Sequence, residues 1–152
     1  MRAQLTVPTP TGPVTLTQED ESLVRLTWDS AHRQDTTPLL SEAKRQIDAY
    51  FAHDLKEFDL PLHVQGSPFQ ASVCAAMSAI PFGETRTYGD LASALGVPAQ
   101  AIGQACGGNP LPLLIPCHRV LGRDGLGGFS GGTGIETKVH LLKHEGAASL
   151  LI

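Results

Sequence analysis

A chain of 152 residues suffices for one domain or two small ones, and its 41% hydrophobic and 17% charged residues suit a soluble globular protein. No stretch approaches the roughly 20 apolar residues of a membrane helix, and the start, MRAQLTVPTPTG, has no apolar leader, so a cytoplasmic protein is expected. The formal net charge of −4 excludes a uniformly basic nucleic-acid binder and leaves room only for a local basic patch.

The three cysteines are Cys74, Cys106 and Cys117. An odd count without a leader argues for reduced thiols. No Cys-x-x-Cys pair exists, so neither a zinc ribbon nor a dithiol redox centre is supported, and no metal is expected.

In chain order, residues 4–7 and 14–17 alternate as two short strands around Pro8, Pro10, Gly12 and Pro13. A charged turn, Glu19 to Ser22, leads to a third strand, Leu23 to Trp28. Residues 29–38 read as polar and irregular. Pro38 or Ser41 starts a helix whose stripe is Leu40, Ala43, Ile47, Tyr50 and Phe51, with Ser41 a possible cap. Lys56 to Leu62 reads as strand-like. His32, His53 and His63 have no metal spacing and read as surface or structural residues.

A second unit begins near Gly66, which places domains at 1–65 and 66–152. Ser67-Pro68 reads as cap and first helical position. Phe69, Val73, Ala76, Met77 and Ile80 then form an apolar stripe. Thr87 caps a helix from Tyr88 to Leu95 closed by Gly96, and Pro98 opens another from Ala99 to about Gly107. Two short helices joined this way resemble a helix-turn-helix, although an ordinary helical hairpin is the commoner arrangement. Gly108-Asn109-Pro110 ends the second helix and leads into the apolar run 111–120. Residues 122–134 carry seven glycines but no phosphate-loop lysine, a composition for close backbone approach. A final helix, about Glu136 to His144, turns Val139, Leu141 and Leu142 inward.

Ile115-Pro116-Cys117-His118-Arg119-Val120 is the stretch with chemistry. Pro116 favours a bend that can aim Cys117 into a pocket. Most free cysteines are small buried hydrophobes, and that reading stands beside the reactive one. A nucleophilic thiolate needs a base or a cationic setting. If residues 117 and 118 are extended their side chains diverge, so His118 would act through water or a bend. Glu136 and Glu145 both qualify to orient its ring.

Those residues, with Gly108-Asn109-Pro110, Ser130-Gly131-Gly132, the segment 141–146 and the block 81–92, resemble the O6-alkylguanine-DNA alkyltransferases. The match is strong from Phe69 to Gly146 and looser before it. It implies an α+β chain, with a ribonuclease-H-like domain followed by a winged-helix, helix-turn-helix-like domain. It implies a monomer that needs no cofactor and binds double-stranded DNA carrying O6-alkylguanine. The base is flipped out and its alkyl group passes irreversibly to Cys117 in a single turnover. His118 and Glu145 would form the water-linked relay, and Asn109 would brace the turn. Tyr88 would help protonate the leaving guanine or turn its phosphate. Ser130 would offer a backbone N–H to O6, and the Cys117 and Val120 carbonyls would take the exocyclic amine. Arg119 would tie down the turn, with Lys138 beside the pocket. Thr87, Tyr88, Ala99, Gln100 and Gly103 would meet DNA.

The chain departs from the family pattern. Gln100 stands where an arginine usually fills the gap left by the flipped base. Gly107-Gly108 replace another arginine. Thr133-Gly134 extend the pocket loop by two residues. Cys74 takes a position often held by Trp, and the N-terminal part lacks cysteines for the zinc site of some relatives. The lost charges predict weak DNA binding with a shallow salt dependence. Two alternatives are a lesion-binding sensor without repair activity and a thiol hydrolase.

Overall fold

The computed structural model describes residues 1–123, 125–128, 131–132 and 134–147. The chain divides into two compact units, Met1–Gln65 and Gly66–Ile152.

The first unit is an antiparallel sheet with one helix. Strands β1 (Arg2–Val7), β2 (Val14–Glu19) and β3 (Ser22–Thr27) pair in sequence order. Leu5 lies opposite Leu16, and Leu16 opposite Leu26, so one face is apolar. A register shift at Thr17/Gln18 lets both Leu23 and Val24 be buried. Helix α1 (Pro38–Phe51) packs Leu40, Ala43, Ile47 and Tyr50 inward and lies against β1 and β2.

Its cap is Thr37 rather than Ser41. The Thr37 hydroxyl accepts from the Leu40 N–H at 3.0 Å, and Pro38 takes the first helical position. Lys56 to Leu62 is not a strand. The Asp59 N–H and C=O are both taken by the Gln46 side-chain amide, at 2.8 and 3.0 Å, which leaves them nothing to offer a ladder. Only Leu62 bridges to Leu23. In the polar segment before α1, Gln34 bridges Leu5 at the sheet edge.

In the second unit Ser67 caps helix α2 (Pro68–Ser78). Val73, Cys74 and Met77 are buried, but Phe69 is 37% exposed. The first turn of α2 meets its neighbour through Gln70, which donates to the Ala105 carbonyl at 2.8 Å, so the apolar stripe outruns its partner. Strand β4 (Arg86–Thr87) runs straight into helix α3 (Tyr88–Leu95) through a capping box between Thr87 and Asp90. Gly96 ends α3 in the left-handed region, φ 68°, and Pro98 opens helix α4 (Ala99–Gly107). Helix α4 buries Ile102, Ala105 and Cys106 and exposes Ala99, Gln100, Gly103, Gln104 and Gly107.

Residues 111–120 are buried. Cys117–Arg119 form a single 3-10 turn, not an extended segment, because Pro116 bends the chain and its carbonyl accepts from the Arg119 N–H at 3.0 Å. Strand β5 (Val120–Leu121) follows and pairs parallel with β4. Helix α5 (Ile135–His144) turns Thr137, Lys138, Leu141 and Leu142 inward and leaves Val139 half-buried, so a lysine occupies core space expected for valine.

Candidate active site

The site is built where the 3-10 turn meets α5. Cys117 is 6% exposed. Its N–H donates to the Ile115 carbonyl at 2.8 Å. Asn109, just beyond α4, donates from Nδ2 to the Ile115 carbonyl at 2.9 Å and accepts from the Leu111 N–H at 3.0 Å. One amide side chain thereby ties the exit of α4 to the residues before the cysteine. Burial pushes the Cys117 thiol up to about 11, against the opposing pull of the Asn109 hydrogen bond and the Lys138 charge.

His118 and Glu145 are fully buried at the side chain, with Nε2 and Oε2 2.8 Å apart. Arg119 donates to the same carboxylate from Nε and Nη2, at 2.8 and 3.0 Å, and to the Ile80 carbonyl from Nη1 at 2.6 Å. Burial alone would raise the Glu145 carboxyl, but the His118 and Arg119 hydrogen bonds overcome it and hold it at about 2. Glu145 is therefore ionised. Burial, as the largest influence, lowers the His118 pKa and keeps the ring neutral. A neutral ring facing a carboxylate through Nε2 carries its proton there, which leaves Nδ1 as an acceptor. Nδ1 is the buried side-chain polar atom without a partner among the described residues. Glu136 is exposed on the first turn of α5.

Tyr88 is half-buried at the start of α3, and burial raises its pKa while a backbone hydrogen bond with Gly128 opposes the rise. Gly127 has φ +72°, and a Cβ there would lie 2.7 Å from Tyr88 Cε2 and 2.8 Å from its hydroxyl. Lys138 is completely buried and donates to the carbonyls of Val120, at 2.6 Å, and Gly128, at 3.1 Å.

The fold thus brings Asn109, Cys117, His118, Arg119, Val120, Lys138 and Glu145 to one place, with Tyr88 beside Lys138 at 5.9 Å from ring centroid to Nζ. Ala99, Gln100 and Gly103 lie apart on the exposed face of α4. The Thr87 hydroxyl caps α3 by accepting from the Asp90 N–H at 3.0 Å. Ser130 and Thr133 lie outside the described residues. Sequence reasoning missed the Ile80 carbonyl and the packing of Gly127 on Tyr88. No local pattern marks the first. The second had a faint signal in the glycine density of 122–128. Among the described residues no group of three or more His, Cys, Asp or Glu is placed to hold a metal ion, and no helix is long and apolar enough to cross a membrane.

Residues 4–64 match the ribonuclease-like domain of 6-O-methylguanine DNA methyltransferase, and residues 68–147 match its DNA binding domain. The chain belongs to the 6-O-methylguanine DNA methyltransferase family. Family members of similar length include the methylated-DNA--protein-cysteine methyltransferase of Methanosarcina acetivorans, 40% identical over 149 residues, 91% of this chain and 94% of the relative. The constitutive enzyme of that name from Bacillus subtilis is 39% identical, covering 95% and 96% of the two chains. Among solved structures, the O6-methylguanine methyltransferase of Mycobacterium tuberculosis superposes with a TM-score of 0.85 at 38% identity, covering 99% and 98%. The structure of M. tuberculosis OGT in complex with DNA superposes at 0.83, covering 94% and 92%. The methyltransferase fold, a ribonuclease-like domain followed by a DNA-binding domain, is therefore the fold of this chain.

Proposed function

We propose that the protein repairs DNA by direct reversal, as a methylated-DNA--protein-cysteine S-methyltransferase whose acceptor is Cys117. The observation that carries the reading is the orphaned Nδ1 of buried His118, with ionised Glu145 and Arg119 behind the ring and Cys117 next in sequence. In this reading the Cys117 proton passes through a water to His118 Nδ1. The thiolate attacks the alkyl carbon, and the S–C bond forms as the C–O6 bond breaks. The electron pair leaves with the guanine, whose negative charge is quenched by a proton from Tyr88 and by the backbone N–H of Ser130. The Cys117 and Val120 carbonyls take the exocyclic amine, Asn109 and Arg119 hold the turn, and Lys138 lines the site. The product is a thioether, which the relay cannot reverse, so each chain acts once.

Residues 66–152 carry the acceptor and the DNA contacts, through Thr87, Tyr88, Ala99, Gln100 and Gly103, and residues 1–65 form the ribonuclease-like domain. The partner is double-stranded DNA carrying O6-alkylguanine, met by a monomer in the cytoplasm. The names of the relatives and the DNA-bound M. tuberculosis structure support the substrate class.

Intact-mass spectrometry after mixing with excess duplex DNA containing O6-methylguanine tests this. One methyl per chain, mapped to Cys117 and stopping there, is the expected result. Lesion binding without any mass shift would instead make the protein a sensor.

A further inference from the structure

We propose that Gln70, on the first turn of α2, is a positioning residue for the acceptor turn: it fixes the end of α4 from which Asn109 holds the segment before Cys117. The inference rests on Cys117 being the acceptor.

Gln70 is half-buried, and its side-chain amide lies over the last turn of α4. Nε2 donates to the Cys74 Sγ at 3.6 Å, one turn further along α2, and to the Ala105 carbonyl at 2.8 Å. The amide oxygen lies against Gly108, where a Cβ would stand 3.3 Å from Oε1. The φ of Gly108 is −93°, which any residue adopts, so this glycine leaves room for Gln70 and does not serve a left-handed turn.

The carbonyls that end a helix lack partners within it and must find them elsewhere. The Ala105 carbonyl accepts from the Gly108 N–H at 3.1 Å as well as from Gln70. The chain leaves α4 through Gly108, and the next residue is Asn109, whose N–H donates to the Cys106 carbonyl at 3.3 Å. The Asn109 side chain donates to the Ile115 carbonyl, which also accepts the Cys117 N–H. Hydrogen bonds thus run from Gln70 through the exit of α4 and Asn109 to the backbone of the acceptor. Gly107 and Gly108 have no side chains with which to hold that exit, and a Cβ at Gly107 would meet nothing within 4 Å. The apolar contacts of Ile102 and Ala105 hold α4 to the core without direction, whereas the bond from Gln70 fixes its last turn at one place.

The test uses the full chain and needs no DNA. The readout is the pH dependence of iodoacetamide labelling of Cys117, followed on its own peptide by mass spectrometry, because the Asn109 hydrogen bond favours the thiolate. In Gln70→Met, which fills similar space without a donor, the profile should move to higher pH. Labelling at pH 8 should slow about threefold, half a pKa unit. Asn109→Ala should move the profile the same way, and the double variant should move it no further than Asn109→Ala alone. Ser67→Ala removes the cap of the same helix and should leave the profile in place. An unmoved profile in Gln70→Met, an equal shift in Ser67→Ala, or shifts of Gln70→Met and Asn109→Ala that add would each overturn the proposal. Should Gln70→Met not fold, Gln70→Ala takes its place and is judged by the same outcomes, since alanine is the best helix former. Methyl uptake from DNA by the unaltered protein is scored separately, so failure of the acceptor assignment and failure of the Gln70 assignment give different results.

Discussion

Arg119 grips Glu145 through two parallel hydrogen bonds, 2.8 Å from Nε to Oε1 and 3.0 Å from Nη2 to Oε2, and both side chains are buried. This pairing leaves Oε2 shared with His118, so one carboxylate anchors the turn that carries the cysteine and also sets the tautomer of the histidine. Removing it strands both partners. Glu145→Ala should destabilise the protein by about 3–5 kcal/mol, because a buried arginine is left uncompensated. Urea unfolding at pH 7 measures this. A loss under about 1 kcal/mol would mean that solvent reaches Arg119 easily.

The same cluster makes stability depend on acid. Glu145 titrates near 4.5 in an unfolded chain and at about 2 in the fold, so its contribution is present above 4.5 and is lost as pH falls towards 2. His118 has a lowered pKa in the fold, so the unfolded chain binds its proton first, and stability also declines as pH drops below about 6.5. Thermal melts from pH 7 to 3 should therefore fall monotonically. Glu145→Gln should flatten the lower part of that curve, and an equally steep curve in the variant would reject Glu145 as its source.

Asn109→Ala removes two hydrogen bonds that hold the segment before Cys117, and with them a contact that favours the thiolate. The expected cost is about 1–3 kcal/mol, with slower methyl uptake at Cys117 in single-turnover assays. Uptake at the parental rate would show that the turn holds itself.

Gly127→Ala places a methyl group within 2.8 Å of the Tyr88 ring edge and forces alanine into φ +72°. A cost of about 1–3 kcal/mol is expected. A Gly127→Ala/Tyr88→Ala double-mutant cycle separates the two effects. The ring clash should vanish in the double variant and the backbone strain should remain. Complete additivity would mean that the two residues do not meet.

Gln100 and Gly107 lie on the exposed face of α4, and a Cβ at Gly107 meets nothing within 4 Å. Gln100→Arg and Gly107→Arg should both be tolerated in the fold. Each new phosphate contact should steepen the slope of log affinity against log salt by about 0.9. Filter binding to duplex DNA between 50 and 200 mM salt, about the range where such slopes are read, checks this. An unchanged slope in both variants would place that face away from DNA.

Local patterns in the chain determined most of the elements. The three strands, the caps Ser67 and Thr87, and the stop at Gly96 each follow from residues within a turn of one another. The short motif around Cys117, with its flanking blocks, was enough to point to the family and to the chemistry. Tertiary structure decided the rest, because those outcomes depend on residues far apart in sequence. Lys56 to Leu62 has strand-like residues, but Gln46 of α1 captures Asp59 from 13 positions away. Phe69 continues an apolar stripe, but Gln70 takes the contact with α4. His118 faces Glu145 only because Pro116 and the 3-10 turn rotate it, which an extended reading of the dipeptide would not allow. The sequence turned Val139 inward with Leu141 and Leu142, because an apolar side chain outranks a lysine in any local reading, whereas the fold buries Lys138 and leaves Val139 half-buried. That the Lys138 charge lies among carbonyls, with no carboxylate among the described residues, was not legible, since burial and partner are properties of the packed core and not of the helix that carries it.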